Sequence, residues 1–209
     1  MSHEPLSIRA VAFIDGQNLF HSAREAFGYT YPNYDVGKLA QAVCTARDWQ
    51  LQQTRFYTGV PDLQDHPFWH GFWSNKLLAM RRAGIVVFSR GLRYRNQRVA
   101  LPDGNVHTFL VGEEKGIDVR IALDIIRGAH RAEYDVALVF SQDQDLSEAA
   151  AEIRVIAHEQ NRWIKAVSSY PVSPTVRNRR GIDKTDWFPI DRALYDSCTD
   201  PRDYRPKKP

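Results

Sequence analysis

The sequence contains little cysteine and no strong excess of charge. Its two cysteines, Cys44 and Cys198, form neither a zinc motif nor a dithiol redox motif, and we interpret them as free thiols of a cytoplasmic protein. No apolar run approaches the ~18–20 residues of a membrane span, and the first residues lack the basic segment and apolar core of a secretory signal. The net charge of +3 permits a polyanionic partner but argues against tight, sequence-independent binding to long nucleic acid.

Apolar, strand-like runs alternate with amphipathic helical segments along most of the chain. Predicted strands cover residues 8–14, 52–57, 85–88, 134–140, 163–167 and 187–190. Predicted helices cover residues 18–27, 67–83, 115–130 and 146–159, with another that begins after Asp35. This alternation predicts one α/β domain in which helices cover both faces of a mostly parallel sheet. We place the domain at residues 8–190 and interpret residues 191–209 as a C-terminal extension that forms a mobile tail.

Residues 90–112 break the alternation. Two short apolar and basic runs, at 92–95 and 106–111, flank turn-forming residues at 102–105. The segment is therefore predicted to be a β-hairpin inserted between the third sheet strand and the next helix.

Two arginine clusters are candidate contacts for nucleic acid. The first lies on the hairpin, where Arg93 and Arg95 flank Tyr94, and such a mixture can contact phosphates and stack on bases. The second comprises the arginines of residues 177–180, within a segment at 173–180 whose local structure the sequence does not define. A run of arginines can equally be a solvated face, so both interpretations stay open for both clusters.

Three aspartates lie just after the ends of predicted strands. Asp15 comes after the first strand, and Asp143 and Asp145 come after the strand at 134–140. In an open α/β sheet, ligands bind in the crevice at the carboxyl ends of the strands. Carboxylates gathered there repel each other unless a cation lies among them, and a divalent metal that prefers oxygen ligands fits best. The alternative is that Asp15 and Asp145 only cap the helices that follow them, which would leave Asp143 unexplained.

A fourth aspartate, Asp118, lies in the first turn of the helix at 115–130. It is a candidate for the same site, although the helix dipole alone also favours an acidic side chain there. Asp124 lies six residues further on and points to another face of the helix, so we treat it as a second-tier candidate. We interpret Glu113 and Glu114 as solvated loop charges.

Such a set of carboxylates suits phosphodiester hydrolysis. The reaction needs an in-line water and stabilisation of charge on the attacking and leaving oxygens, and one or two Mg²⁺ or Mn²⁺ ions supply both. No His or Cys nucleophile is needed, and the seven histidines form no HExxH-type pattern. Two alternatives remain: a non-catalytic module that binds RNA or a protein, and a metal-dependent phosphatase of small phosphoesters, whose usual Asp-x-Asp signature is missing after the first strand.

Three motifs, at residues 13–18, 115–119 and 141–146, carry a resemblance to a known family. In order and spacing they resemble the motifs of the NYN domain (LabA-like) family of PIN-like metal-dependent nucleases. The resemblance implies a PIN-like three-layer α/β/α sandwich, a Mg²⁺ or Mn²⁺ site and ribonuclease chemistry. The matching positions imply an acidic cluster of Asp15, Asp118, Asp143 and Asp145, supported by Asn18, Lys115 and Ser141.

The leading prediction is therefore a metal-dependent ribonuclease that acts on single-stranded RNA. Its substrate-binding residues are predicted to include Arg93 and Arg95. The aromatic helix at 67–83 holds too many large rings to bury them all on one face, so it is predicted to be core with a part that pairs with a second copy of the chain.

Overall fold

The computed structural model of this protein describes residues 3–100 and 106–206. Its strands are β1 (Ile8–Asp15), β2 (Trp49–Val60), β3 (Val86–Gly91), β4 (Arg93–Ala100), β5 (Val106–Glu113), β6 (Val136–Phe140), β7 (Lys165–Pro171) and β8 (Asp186–Ile190). Its helices are α1 (Gly16–Phe27), α2 (Val36–Ala46), α3 (Pro67–Arg82), α4 (Ile117–His130), α5 (Ser147–Glu159) and α6 (Arg192–Ser197). A short 3-10 turn, Gln144–Leu146, precedes α5.

Six of the strands form one parallel sheet in the order β3-β2-β1-β6-β7-β8. The other two, β4 and β5, form a separate antiparallel hairpin. The predicted α/β class and the inserted hairpin are therefore confirmed, while the predicted turn at 102–105 lies outside the described residues.

Helices cover both faces of the sheet because each central strand is apolar on both sides. In β1, Ala10, Ala12 and Ile14 pack into the layer formed by α1, α2 and α3. The intervening Val11 and Phe13 pack into the opposite layer, formed by α4 and α5. Alternate residues of a strand point to opposite faces, so an uninterrupted apolar run is what a doubly covered strand requires. The predicted three-layer sandwich is confirmed.

The strand order defines where a crevice opens. The chain runs from β1 outward through β2 to β3, then returns to place β6 on the other side of β1. Helices leave the carboxyl ends of β1 and β6 toward opposite faces, and the loops between them part at this point, as in other open α/β sheets. The register pairs Ile14 with Phe140, so the residues that follow, Asp15 and Ser141, lie next to each other at the edge of the sheet.

The predicted mobile tail is wrong for residues 191–206. Tyr195 in α6 is fully buried, and Tyr204 is 7% exposed. The Tyr204 hydroxyl donates to Asp200 at 2.6 Å, and the buried Lys76 ammonium lies 3.6 Å from the same carboxylate. The prolines at 201 and 206 lie beyond α6, where they do not prevent buried aromatic rings and an ion pair from fixing the segment to the domain.

The same C-terminal segment covers part of the aromatic helix α3. Phe72 and Trp73 are buried, and the Phe72 ring meets the Tyr204 ring edge to face at a centroid distance of 5.9 Å. Phe68 remains 47% exposed. Part of the aromatic surface that pointed to a second subunit, the Phe72 ring, therefore packs against the chain's own C-terminal segment.

We expect Tyr204→Ala to lower the free energy of unfolding by about 2–4 kcal/mol, because it leaves a cavity beside Phe72 and removes a hydrogen bond to Asp200. The exposed neighbour Arg205 is the matched control, and Arg205→Ala should change stability by about 0.5 kcal/mol or less. Urea unfolding measures both. Equal, small effects would mean that residues 199–206 do not pack as described.

Candidate active site

Asp15 sits at the carboxyl end of β1 and also caps α1. Its Oδ1 accepts a hydrogen bond from the Asn18 backbone N–H at 3.0 Å, and its Oδ2 accepts one from the Ser141 hydroxyl at 3.3 Å. Gly16 makes this turn possible, since a Cβ there would lie 2.5 Å from the Phe56 ring. Capping and a place in the crevice, which the sequence left as alternatives for Asp15, are thus both true.

Burial makes Asp15 an unusual acid. The side chain is almost fully enclosed, and desolvation raises its pKa from an ordinary 3.8 to about 6. The hydrogen bonds from Asn18 and Ser141 act in the opposite direction, and the charges of Asp143 and Asp118 raise the pKa further. Asp15 is therefore held next to other carboxylates in a place where its negative charge is unfavourable.

Hydrogen bonds tie the turn after β6 to Asp15 and α1. The Ser141 hydroxyl accepts from the Asp143 backbone N–H at 3.1 Å, and the Ser141 carbonyl accepts from the Ser168 hydroxyl at 2.7 Å. The Asn18 side-chain oxygen accepts from the Gln142 backbone N–H at 2.9 Å. The structure thus places Asn18 and Ser141, both predicted as supporting residues, as the bridges between the two strand ends.

An open acidic cleft of about 280 Å³ lies at this edge of the sheet. The cleft is lined by Asp15, Gln17, Asn18, His21, Glu114, Ile117, Asp118 and Asp143. Three of the four predicted aspartates, which come from distant parts of the sequence, are brought together here. The fourth, Asp145, is exposed in the 3-10 turn and does not line the cleft; its backbone N–H donates to Asp143 at 3.0 Å.

Glu114 supplies the fourth carboxylate of the cleft, so its interpretation as a solvated loop charge is wrong. Its Oε1 is buried without a hydrogen-bond partner among the described residues. Burial raises its pKa to about 8, and the charges of Asp15 and Asp118 add to that effect. The signal in the sequence was its position between the hairpin and the 115–119 motif, but nothing there distinguishes it from Glu113.

The remaining predicted residues lie outside the cleft. Asp124 is buried and accepts hydrogen bonds from Tyr57 at 3.0 Å and from Arg120 at 2.9 Å, which is a structural role. Lys115 is mostly exposed, with its ammonium 3.4 Å from Glu113.

The hairpin arginines do not line the cleft either, and they lie on a part of the fold that solvent reaches from both sides. Arg95 forms an ion pair with Glu113, whereas Arg93 is exposed and in no ion pair within the described chain.

The cleft suits a hard cation in chemistry but is not a preformed cage. Its donors are carboxylate and amide oxygens, and the buried, unpartnered Glu114 oxygen and the raised pKa values of Asp15 and Glu114 are features that a positive ion would relieve. Across residues 3–100 and 106–206, no three acidic, His or Cys side chains stand close enough to hold a metal as they are. Mg²⁺ commonly binds through one or two carboxylates and retains water, so an open cleft fits such an ion.

The parallel six-stranded sheet with helices on both faces is consistent with a PIN-like fold. A sequence model described as the NYN domain matches residues 9–179, and the chain belongs to that family. NYN domains are generally nucleases, and they typically use divalent metals.

A solved structure shares the fold. It is a protein of unknown function from Vibrio parahaemolyticus, 19% identical, with a TM-score of 0.53, and the alignment covers 91% of this chain and 97% of that one. At this identity the likeness shows the fold alone. No curated protein matches the sequence. None of the helices in the described ranges is long and apolar enough to cross a membrane.

The buried carboxyl groups predict how the metal-free protein responds to pH. The pKa of Glu114 rises on folding from 4.5 to about 8, so the folded state retains a proton that the unfolded chain releases, and stability falls as pH rises through this window. In a chelating buffer near pH 8.5, we expect Glu114→Gln to raise the free energy of unfolding by about 1–3 kcal/mol, with little gain near pH 4.

Glu113→Gln is the control for this prediction. Glu113 forms ion pairs with Lys115 and Arg95, and its replacement removes them, so this variant should not gain free energy of unfolding at high pH. Chemical unfolding at the two pH values measures each variant. A Glu114→Gln protein that gains no stability at high pH would show that Glu114 is not buried as described.

Proposed function

We propose that this protein is a metal-dependent ribonuclease that hydrolyses phosphodiester bonds of single-stranded RNA with Mg²⁺ or Mn²⁺. The observation that supports this most is the meeting of Asp15, Glu114, Asp118 and Asp143 in one cleft at the point where the strand order reverses. Within the described residues, none of the four forms an ion pair with a lysine or arginine. Carboxylates left without a counter-ion suit a site that binds a metal better than one that only stabilises the fold.

Each residue of the cleft has a role in this proposal. Asp15, Glu114, Asp118 and Asp143 would hold the metal, which supplies an activated water and stabilises charge on the phosphate oxygens. Asn18 and Ser141 orient Asp15 and the turn that carries Asp143. Burial, with Arg24 nearby, lowers the pKa of His21, so its neutral imidazole at the cleft can hydrogen-bond a substrate oxygen at neutral pH.

The hairpin is the proposed RNA contact on one side of the cleft. It leads directly from β5 into Glu114, and both its faces are open to solvent, with Phe109 half exposed and stacked against His107 at 6.1 Å. Exposed rings and cations on a narrow arm can stack on bases and contact phosphates. Arg93 is exposed and available for such a contact, whereas Arg95 is engaged by Glu113.

The two alternatives differ from this proposal in what they predict. A non-catalytic module on the same fold would bind RNA or protein without metal-dependent cleavage. A phosphatase would act on small phosphoesters and would not need the exposed β4–β5 hairpin to bind its substrate. A cytoplasmic location and a homodimer through α3 also stay predictions.

We expect Asp143→Asn to reduce Mn²⁺-dependent cleavage of a labelled single-stranded RNA by at least about 100-fold, because it removes a carboxylate from the cleft. The melting temperature should stay close to that of the parent, since Asp143 is only partly buried. Asp145→Asn is the matched comparison in the same turn, and it should retain activity within about tenfold because its side chain lies outside the cleft.

Two results would contradict this proposal. Equal cleavage by Asp143→Asn and the parent would place the activity in a contaminant or another site. A complete loss in Asp145→Asn with no loss in Asp143→Asn would mean that the wrong aspartate has been assigned to the cleft.

For the hairpin, we expect Arg93→Ala to weaken RNA binding and to reduce the slope of log affinity against log salt by about 1, since one phosphate contact is lost. Adding Arg95→Ala should have a smaller further effect, because Glu113 already neutralises Arg95. Fluorescence anisotropy with labelled RNA over a salt series measures this. Arg131→Ala is the control, at the end of α4 remote from the cleft, and a slope unchanged by Arg93→Ala would remove the hairpin from the binding surface.

A further inference from the structure

Neighbouring side chains of the turn after β6 point in two different directions. Asp143 lies at the cleft, while the side chain of Gln142 points away from it and is 9% exposed. The Gln142 amide nitrogen donates to the backbone carbonyls of Asn178 at 3.3 Å and Arg180 at 2.8 Å. Its amide oxygen accepts from the Ser22 hydroxyl at 2.9 Å. One side chain therefore joins α1, the cleft turn and a distant loop.

That loop, residues 176–183, is here called the arginine loop. The Gln144 side chain binds the second half of this loop. Its amide nitrogen donates to the Gly181 carbonyl at 3.0 Å, and its amide oxygen accepts from the Asp183 backbone N–H at 3.0 Å. Val176 and Ile182 are buried at its two ends. Gly181 allows the close approach, since a Cβ there would lie 2.6 Å from Trp187 and 2.8 Å from the Ser168 hydroxyl. The arginine loop is thus a fixed element attached to the acidic turn.

Its three arginines are exposed but not equivalent. Arg180 forms an ion pair with Asp183 at 2.9 Å, and the Arg179 guanidinium donates to the backbone carbonyls of Val176 and Pro174. Arg177 has no ion pair or side-chain hydrogen bond within the part of the chain that the structure describes. Arg177 therefore carries the guanidinium that is available to an anion.

The attachment of the arginine loop to the turn that carries Asp143 bears on how a polyanion could bind near the acidic cleft. A cleft with four carboxylates repels a polyanion, yet arginines inside it would neutralise the groups that hold the metal. Gln142 and Gln144 are uncharged, and they bind the arginine loop through its backbone groups. This leaves the carboxylates unpaired and attaches positive charge to the turn that carries Asp143.

We propose that the arginine loop is a phosphate-binding element that holds the RNA backbone beside the cleft, with Arg177 as the contact and Gln142 as a positioning residue. The inference rests on the proposed function, because it takes the ligand of the cleft to be single-stranded RNA. Guanidinium groups suit phosphate oxygens through paired, charge-assisted hydrogen bonds.

The test measures binding without cleavage. In a chelating buffer, labelled single-stranded RNA is titrated with the full chain, and anisotropy gives Kd over a salt series. Arg177→Ala should raise Kd about 3- to 10-fold and reduce the salt slope by about 1. Arg177→Glu should raise Kd further, and Arg131→Ala should leave both quantities unchanged.

Gln142→Met tests the positioning role, because methionine keeps the volume but removes the amide that holds the arginine loop. We expect Kd and KM to rise as in Arg177→Ala, with kcat within about twofold of the parent. The double variant with Arg177→Ala should bind no more weakly than the weaker single variant, since both changes act through one loop. Gln142→Asn, which retains an amide, should recover part of the affinity.

The outcomes separate this inference from the proposed function. If the parent binds RNA but never cleaves it, and Arg177→Ala still weakens binding and flattens the salt slope, the inference stands and the ribonuclease proposal fails. If the parent cleaves RNA while Arg177→Ala leaves Kd and slope unchanged, the inference is overturned. A Gln142→Met protein with a lower melting temperature but unchanged Kd and slope would reduce Gln142 to a purely structural role.

Discussion

Four carboxylates are gathered and partly buried at one edge of the sheet, and the cost of desolvating them, together with their mutual repulsion, is the constraint on which the rest of this structure depends. Asp15 is buried with a pKa near 6, and Glu114 holds an unpartnered oxygen beside it. A fold selected for stability alone would replace such groups with apolar ones or pair each with a cation. Here the parallel strands β1 and β6 and the hydrogen bonds of Asn18 and Ser141 keep the carboxylates together, which is the arrangement expected of a site that a metal ion completes.

Positive charge is kept near this cleft but out of it. Lys115 and Arg95 are engaged by Glu113, and Arg180 is engaged by Asp183. The hairpin arginines and the arginine loop both lie on segments that adjoin the cleft. The hairpin runs into Glu114, and the arginine loop is bound to the turn of Asp143. An incoming polyanion would therefore find cations on two segments that adjoin the carboxylates.

The elements of the fold could be predicted from the sequence because apolar runs and capping residues are local signals. Asp15 and Asp143 follow apolar strands, and the parallel sheet brings such positions to one edge. Glu114 and Asp145 could not be assigned in this way, since the direction of a side chain in a turn depends on backbone angles that no periodicity fixes. The ordered segment at 199–206 was missed for a related reason: its anchors, Tyr204 and Asp200, meet Phe72 and Lys76 from a distant helix.

The most direct test of the central claim is anomalous diffraction from a crystal soaked in Mn²⁺. We predict density in the cleft within about 2.0–2.6 Å of carboxylate oxygens from at least two of Asp15, Glu114, Asp118 and Asp143. Density found only elsewhere, or at Asp145 with none in the cleft, would contradict the account.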